Sequence, residues 1–499
     1  MTAPTRVHAF TDDALADHDA VELARLVRTG DLSAAEVEAA AVARLRQVAP
    51  TLQAMAYEAY DSPRRAADGS GLLHGVPTLL KDNTDLLGMP TNHGSEAIRA
   101  QPAKRDGRYA TQFLSSGVTV LGKSRMPEFG LNATTEFRSG PPTLNPWNAR
   151  YSVGASSGGA AALVAAGAVP IAHANDGGGS IRIPAAAAGL VGLKPSRGRH
   201  VDGETARTLP INMVSEGVLT RTVRDTATFH AALERHWRNP ALPPLGLVEG
   251  PARRRLRVAM IMESVTDAVV DTPTKAAVER TATFLEEQGH TVEPVPIPVD
   301  ARFVDDFLTY WGLLAFLAGN LGRLTIDRTL DTSLLDGLTD GLRREFTAGG
   351  WRRTPAALHR LRRAAAAYAA VFDHHDVVLC PVVAGVTPQL GHLSPNVPFD
   401  DLVDRLRRHV AFTPLQNITG APAISLPMAI SEEGLPIGVQ LSAAYGDERT
   451  LLELAYALEE QSPWPRITAS EMPSPAPGAG SAPSRRTRPD PRSAAGRAG

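Results

Sequence analysis

The stretch 151-YSVGASSGGAAALVAAGAVPIAHANDGGGSIRIPAAAAGLVGLKP-195 decides how this chain is read. It is poor in bulky side chains and carries two glycine clusters, Gly154 to Gly159 and Gly177 to Gly179, each with serines. Glycine allows close backbone approach and unusual backbone angles. A GGGS run is also the composition of a flexible spacer. Here, however, Ile181-Arg182-Ile183-Pro184 and an alanine-rich, helix-like stretch follow at once, and spacers do not sit inside apolar sequence. The two clusters are therefore read as built structure that brings serine hydroxyls close to a backbone.

Around this stretch, helical and strand-like patterns alternate. Ser33-Ala34-Ala35-Glu36 is a capping box opening a helix that runs to about Val48. Val118 to Leu121, Val169 to Ile171, Leu256 to Ile261 and Val377 to Leu379 read as short strands, and Thr274 to Gln288 as a helix. Alternation of this kind predicts an α/β layered fold. No repeat of fixed period and no long Pro/Gly linker interrupts the first 465 residues, which predicts one large domain over 1–467. From 468 to 499 the chain is rich in Pro, Ser, Gly and Arg, a composition that predicts a disordered tail.

Composition excludes several function classes. The 51 Lys plus Arg against 53 Asp plus Glu give a net charge of −2, without the basic field of a nucleic-acid or membrane-surface binder. The single cysteine, Cys380, excludes intrachain disulfides and cysteine-cage metal sites, and no metal site is expected. The N-terminal residues lack an apolar secretory core, and the apolar run 303–321 is broken by Asp305, Asp306 and Asn320. A cytoplasmic protein is expected. Only five of the basic residues are lysines (Lys81, Lys104, Lys123, Lys194 and Lys275), so each lysine calls for a reason.

Three local patterns compete for the chemistry. Gly117 to Ser124 fits G-x-x-x-x-G-K-S, but a phosphate cradle needs an open loop with a helix starting at the lysine. Here the intervening residues are β-branched and apolar, and Pro127 follows. Gly154-Ala155-Ser156-Ser157-Gly158 fits a G-x-S-x-G nucleophile elbow, yet no buried strand precedes it. Asp373-His374-His375-Asp376 suggests metal ligands, but adjacent residues point in different directions, as in a polar turn. Lys81 differs from these: an apolar run, Gly75 to Leu80, leads straight into it. Burial would lower its pKa, and a fall from about 10.4 to about 7.5, on the order of 4 kcal/mol, would make it a base. An ion pair with Asp82 is the structural alternative.

Taken together, Leu80-Lys81-Asp82, Gly154 to Gly159 and Asp176 to Arg182 resemble the amidase signature family, with Ser156 75 residues after Lys81 and Ser180 24 after Ser156. The stretches Phe412 to Ala423 and Gly434 to Gln440 resemble it too. The resemblance, over roughly residues 20–463, implies one domain built on a twisted mixed β-sheet covered by helices on both faces. It implies Ser180 as the nucleophile forming an acyl-enzyme, Ser156 as a bridging serine on a cis peptide, and Lys81 as the base. Backbone N–H groups at Gly177, Gly178 and Gly179 would form the oxyanion hole. Ser157 is the rival for the bridging role. Ala155, Asn175 and Gly177 depart from the usual family residues without removing a reacting group. The run from Ala174 to Ser180 is similar to that of the 6-aminohexanoate-cyclic-dimer hydrolases, a hint of secondary or cyclic amides.

The expected activity is a cofactor-independent hydrolysis of a small-molecule amide to acid plus ammonia or amine. The alternative within catalysis is a glutamine-hydrolysing subunit of a transamidation complex; a nucleotide binder using Gly117 to Ser124 is the alternative from another class. A homodimer is left open. The aromatics Phe307, Tyr310, Trp311 and Phe316 are candidates for the acyl pocket, with a plain core helix the competing reading.

Overall fold

A computed structural model describes residues 6–468 except 68, 205, 207, 208 and 267, so the expected tail lies outside the described residues beyond its first. Twelve strands are found among these residues: β1 Met55–Glu58, β2 Arg64–Arg65, β3 Pro77–Lys81, β4 Thr119–Ser124, β5 Ile171–Asp176 and β6 Val191–Lys194, then β7 Ser215–Thr220, β8 Arg257–Met260, β9 Thr291–Pro294, β10 Val377–Pro381, β11 Ala423–Ile430 and β12 Pro436–Ala443. Eight of them form one twisted sheet in the order β5-β7-β6-β11-β12-β10-β8-β9. It is mixed: β8 runs parallel to β9 and β10, and the remaining pairs are antiparallel. The other four strands make a small sheet in which β4 pairs with β1, β2 and β3.

Helices cover both faces of the large sheet, which explains why its strands read as continuous apolar runs instead of alternating ones. On β10, Val377 and Leu379 face a core shared with the helices Val223–His236, Thr272–Glu287 and Glu448–Gln461. Their neighbours Val378 and Cys380 face the other core, with Tyr310, Leu361 and Tyr368 from Arg302–Phe316 and Trp351–Ala369. Cys380 is thus a core residue; burial pushes its thiol up to about 12, and it accepts a hydrogen bond from Gln440 Nε2 at 3.1 Å.

The small side chains of the 151–195 stretch have a packing role. The helix Gly158–Ala165 is buried along its whole length, and Arg182–Ala188 lies flat against β11 and β12. A Cβ on Gly438 would stand 2.4 Å from Ala186 Cβ, so the helix approaches as closely as alanine and glycine allow. The capping-box helix is found at Ala34–Leu52, with the Ser33 and Glu36 side chains capping each other's backbone N–H. Gly117 to Ser124 is largely β4 itself. Lys123 sits buried within that strand, donating to Pro90 O at 2.6 Å and Thr91 Oγ1 at 2.5 Å, which rules out the phosphate-loop geometry. No described helix is long and apolar enough to cross a membrane, and no described cluster of His, Cys, Asp or Glu could hold a metal ion. His375 instead pairs with Glu293, and Asp376 with Arg254 and Arg257.

The small sheet meets the large one where β3 packs beside β5. Side chains join the two strands: Thr78 Oγ1 donates to Ile171 O at 2.9 Å, and the Lys81 backbone N–H donates to His173 Nδ1 at 3.1 Å. This seam sets where the end of β3 stands relative to the end of β5. Thr78→Val keeps the side-chain shape and leaves the carbonyl of Ile171 without this donor. It should cost about 1–2 kcal/mol in denaturant unfolding, with Thr78→Ser retaining most of the stability. Equal stability of Thr78→Val and wild type would show that the seam does not depend on this bond.

Candidate active site

The end of β3, the turn before Gly158–Ala165 and the loop after β5 converge. Lys81, the last residue of β3, is wholly buried, and its Nζ lies 2.7 Å from Ser156 Oγ. The same nitrogen donates to Asn175 Oδ1 at 2.8 Å and, more weakly, to Asn175 O at 3.4 Å. Burial lowers the amine from 10.5 to about 7, against the opposing pull of the Glu216 and Asp176 carboxylates. Asp82 is not its ion-pair partner: that carboxylate accepts from the N–H groups of Asn92 and Gly94, and its charged neighbour is Lys123.

The peptide between Ala155 and Ser156 is cis. Of the two adjacent serines, Ser156 is the one within reach of Lys81; Ser157 Oγ turns to Asn175 O at 3.4 Å. The backbone at Gly130 passes close to the Ser156 hydroxyl. With φ of +71° and space for a Cβ only 3.0 Å from Ser156 Oγ, that position requires glycine. Ser156 and Ser180 line one cavity of about 560 Å³ together with Asn175 and Gly177.

The loop Gly177-Gly178-Gly179-Ser180 hangs from a buried ion pair. Asp176 accepts from Gly179 N at 2.7 Å and Ile181 N at 3.1 Å, and from Arg182 Nε at 2.9 Å. Burial alone would raise this carboxyl; the Arg182 guanidinium holds it well below the usual range. Arg182 is held in turn by Gln416 Oε1 at 3.1 Å, Gln440 Oε1 at 2.8 Å and Asn417 Oδ1 at 2.7 Å. Thr413 Oγ1 donates to Gly178 O at 2.7 Å.

The N–H of Gly179, expected among the oxyanion donors, is therefore spent on Asp176, because the carboxylate needs it to fix the loop. Among the described residues, no acceptor on the chain engages the N–H groups of Gly177, Gly178 or Ser180. The sequence reading gave no role to Asp176, Arg182, Thr413, Gln416, Asn417 or Gln440. An arginine between Ile181 and Ile183 was the signal that a buried partner must exist. Asn175 was noted there only as a departure from the family, yet it holds the lysine.

The aromatic candidates separate. Phe307 and Trp311 line an apolar pocket that reaches Ser180. The Tyr310 hydroxyl instead donates to Ile211 O at 2.6 Å, and Phe316 packs on Phe346, so neither belongs to that lining.

Comparisons with known proteins give the family. Residues 36–452 match the Amidase family model. The chain is 50% identical over 473 residues to a Mycobacterium tuberculosis protein provisionally assigned as amidase AmiC, covering 94% of this chain and 99% of that one. It is 34% identical over 469 residues to the 6-aminohexanoate-cyclic-dimer hydrolase of Pseudomonas sp. strain NK87, covering 89% and 95%. A solved structure of a 6-aminohexanoate cyclic dimer hydrolase superposes with a TM-score of 0.80 at 30% identity, over 91% of this chain and 98% of that one. The chain belongs to the amidase signature family, hydrolases that act on carbon–nitrogen bonds other than peptide bonds.

Proposed function

We propose that the chain cleaves a small-molecule carboxylic amide by a Ser180–Ser156–Lys81 relay through an acyl-enzyme, within a single domain over 1–467. The observation that carries this reading is the buried Lys81 amine, 2.7 Å from Ser156 Oγ, with its N–H directed to Asn175 Oδ1. A neutral amine that donates to Asn175 keeps its lone pair free to accept the Ser156 proton. Ser156 then takes the proton of Ser180 as Ser180 Oγ attacks the carbonyl carbon. The N–H groups of Gly177, Gly178 and Ser180 receive the oxyanion, where one donor is worth about 3 kcal/mol. The proton on Lys81 returns through Ser156 to the amide nitrogen, the C–N bond breaks, and the amine leaves. Water, deprotonated by the same relay, releases the acid from Ser180. Fixing the loop through Asp176 and Arg182 means these donors need not reorganise during the reaction.

A fluorophosphonate probe should modify Ser180, and Lys81→Ala should slow both labelling and amide turnover about a thousandfold, the usual scale of a positioned base. Lys81→Arg should not restore activity, since a guanidinium keeps its proton. Labelling of Ser156 with Lys81→Ala fully active would contradict the relay.

The pH dependence has a definite sign. Lys81 acts only when neutral, so kcat/KM should fall as pH drops below about 7, where the amine protonates. The nearby Glu216 carboxylate favours the ammonium form, so Glu216→Gln should move this acidic limb to lower pH while keeping an acceptor for His173 Nε2, 2.9 Å away. A limb that stays in place, or moves upward, in Glu216→Gln would show that Lys81 does not set it.

A further inference from the structure

Two cavities meet at Ser180, and they differ in size and in the number of polar side chains that enter them. One, of about 100 Å³, is walled by Phe307, Trp311, Val304, Leu342, Val410 and Leu415. Besides Ser180, polar side chains enter its described lining only at Asn132, Thr266 and Arg407, and Asn132 is already bonded to Leu393 O and the N–H of Ala133. The other is the cavity of about 560 Å³ that contains Ser156 and Asn175. It shares Asn83, His93, Asn175 and Val214 with a polar recess that also takes in Asp85 and Glu216.

Trp311 stands between the two cavities and lines both. Its indole Nε1 donates to Leu131 O at 3.0 Å, and its ring stacks on Phe307 with centroids 5.1 Å apart. The indole edge lies over the nucleophile loop: a Cβ on Gly178 would be 3.2 Å from Trp311 Cη2. Anchored at the pyrrole end and stacked along its face, the side chain is a fixed wall.

The proton path says which half of an amide occupies which cavity. The departing nitrogen must receive its proton from Ser156, which lines the large cavity and is absent from the lining of the small one. Resting on the relay proposed above, we infer that the apolar pocket behind Trp311 holds the acyl group and the larger cavity, where Asn83, His93, Asn175 and Glu204 interrupt apolar walls, holds the amine. Trp311 is then a specificity-determining residue that limits acyl length. An engineered apolar cavity of about 150 Å³ holds the six carbons of benzene, so a pocket of about 100 Å³ takes roughly four carbons beyond the carbonyl. The substrate class is an amide of a compact apolar acid with an amine that is larger than its acyl partner and combines apolar surface with a few polar groups.

The test compares two series of amides on wild type, Trp311→Ala and Trp311→Phe. One series places acetyl, butyryl, hexanoyl and decanoyl groups on glycinamide; the other places ammonia, glycinamide and glycylglycinamide on a butyryl group. In wild type, kcat/KM should peak at butyryl or hexanoyl and fall at least tenfold at decanoyl. It should change less than about threefold along the amine series. Trp311→Ala should move the optimum to longer acyl groups and leave the amine series unaltered, while Trp311→Phe keeps the wild-type optimum. Leu342→Ala enlarges the same pocket from another wall and should also lengthen the optimum, which covers a failure of Trp311→Ala to fold. An acyl optimum unmoved in both enlarged variants, or a size limit found on the amine side, overturns the inference. Fluorophosphonate labelling separates the two claims: Ser180 labelled without the expected chain-length profile sinks this inference alone, whereas a folded protein with Ser180 unlabelled sinks the proposed relay.

Discussion

An ammonium group removed from water is costly to keep charged, and the site is organised around this constraint. Lys81 is enclosed by the β3–β5 seam, with Ser156 and Asn175 as its polar contacts. A fall from 10.5 to about 7 corresponds to about 5 kcal/mol of preference for the neutral amine. Glu216 and Asp176 oppose it by favouring the ammonium form. Burial supplies the neutral form that the proposed relay requires, and the two carboxylates limit how far the shift goes.

The second organising element is the Asp176–Arg182 pair. It is wholly buried, and removing one partner from such a pair typically costs 3–5 kcal/mol because the other charge is left uncompensated. Its geometry explains the two C-terminal stretches that resemble the family. Gln416 and Asn417 from one, and Gln440 from the other, complete the guanidinium's hydrogen bonds. Residues more than 230 positions away in sequence thereby fix the glycine loop that carries Ser180.

Much of this was legible in the sequence. Two serine-bearing glycine clusters inside apolar sequence and a lysine at the end of an apolar run drew attention to these segments, and their resemblance to the amidase signature family named Lys81, Ser156 and Ser180. The strand through Val377 and Leu379 was legible because a sheet covered on both faces leaves no polar side. The rarity of lysine turned out to be a weaker signal than it looked. Lys123 and Lys194 are as deeply buried as Lys81, and burial lowers them to about 8 and about 7. What distinguishes Lys81 is that the hydroxyl beside it, Ser156, lines the cavity that holds Ser180, whereas the Thr91 hydroxyl beside Lys123 does not; that placement depends on β3 meeting β5 through Thr78 and His173. Neither that seam nor the diversion of the Gly179 N–H to Asp176 has a local sequence pattern, because both arise from contacts between distant segments.

Lysine scarcity does make the central claim directly measurable. With only five lysines, a sample carrying ¹³C at lysine Cε gives few side-chain signals, and the one missing from Lys81→Met belongs to Lys81. Its titration should centre at about 7, so that the amine is largely neutral where the enzyme would work. A midpoint above about 9, near that of a solvated lysine, would mean that Lys81 remains an ammonium there and cannot be the base.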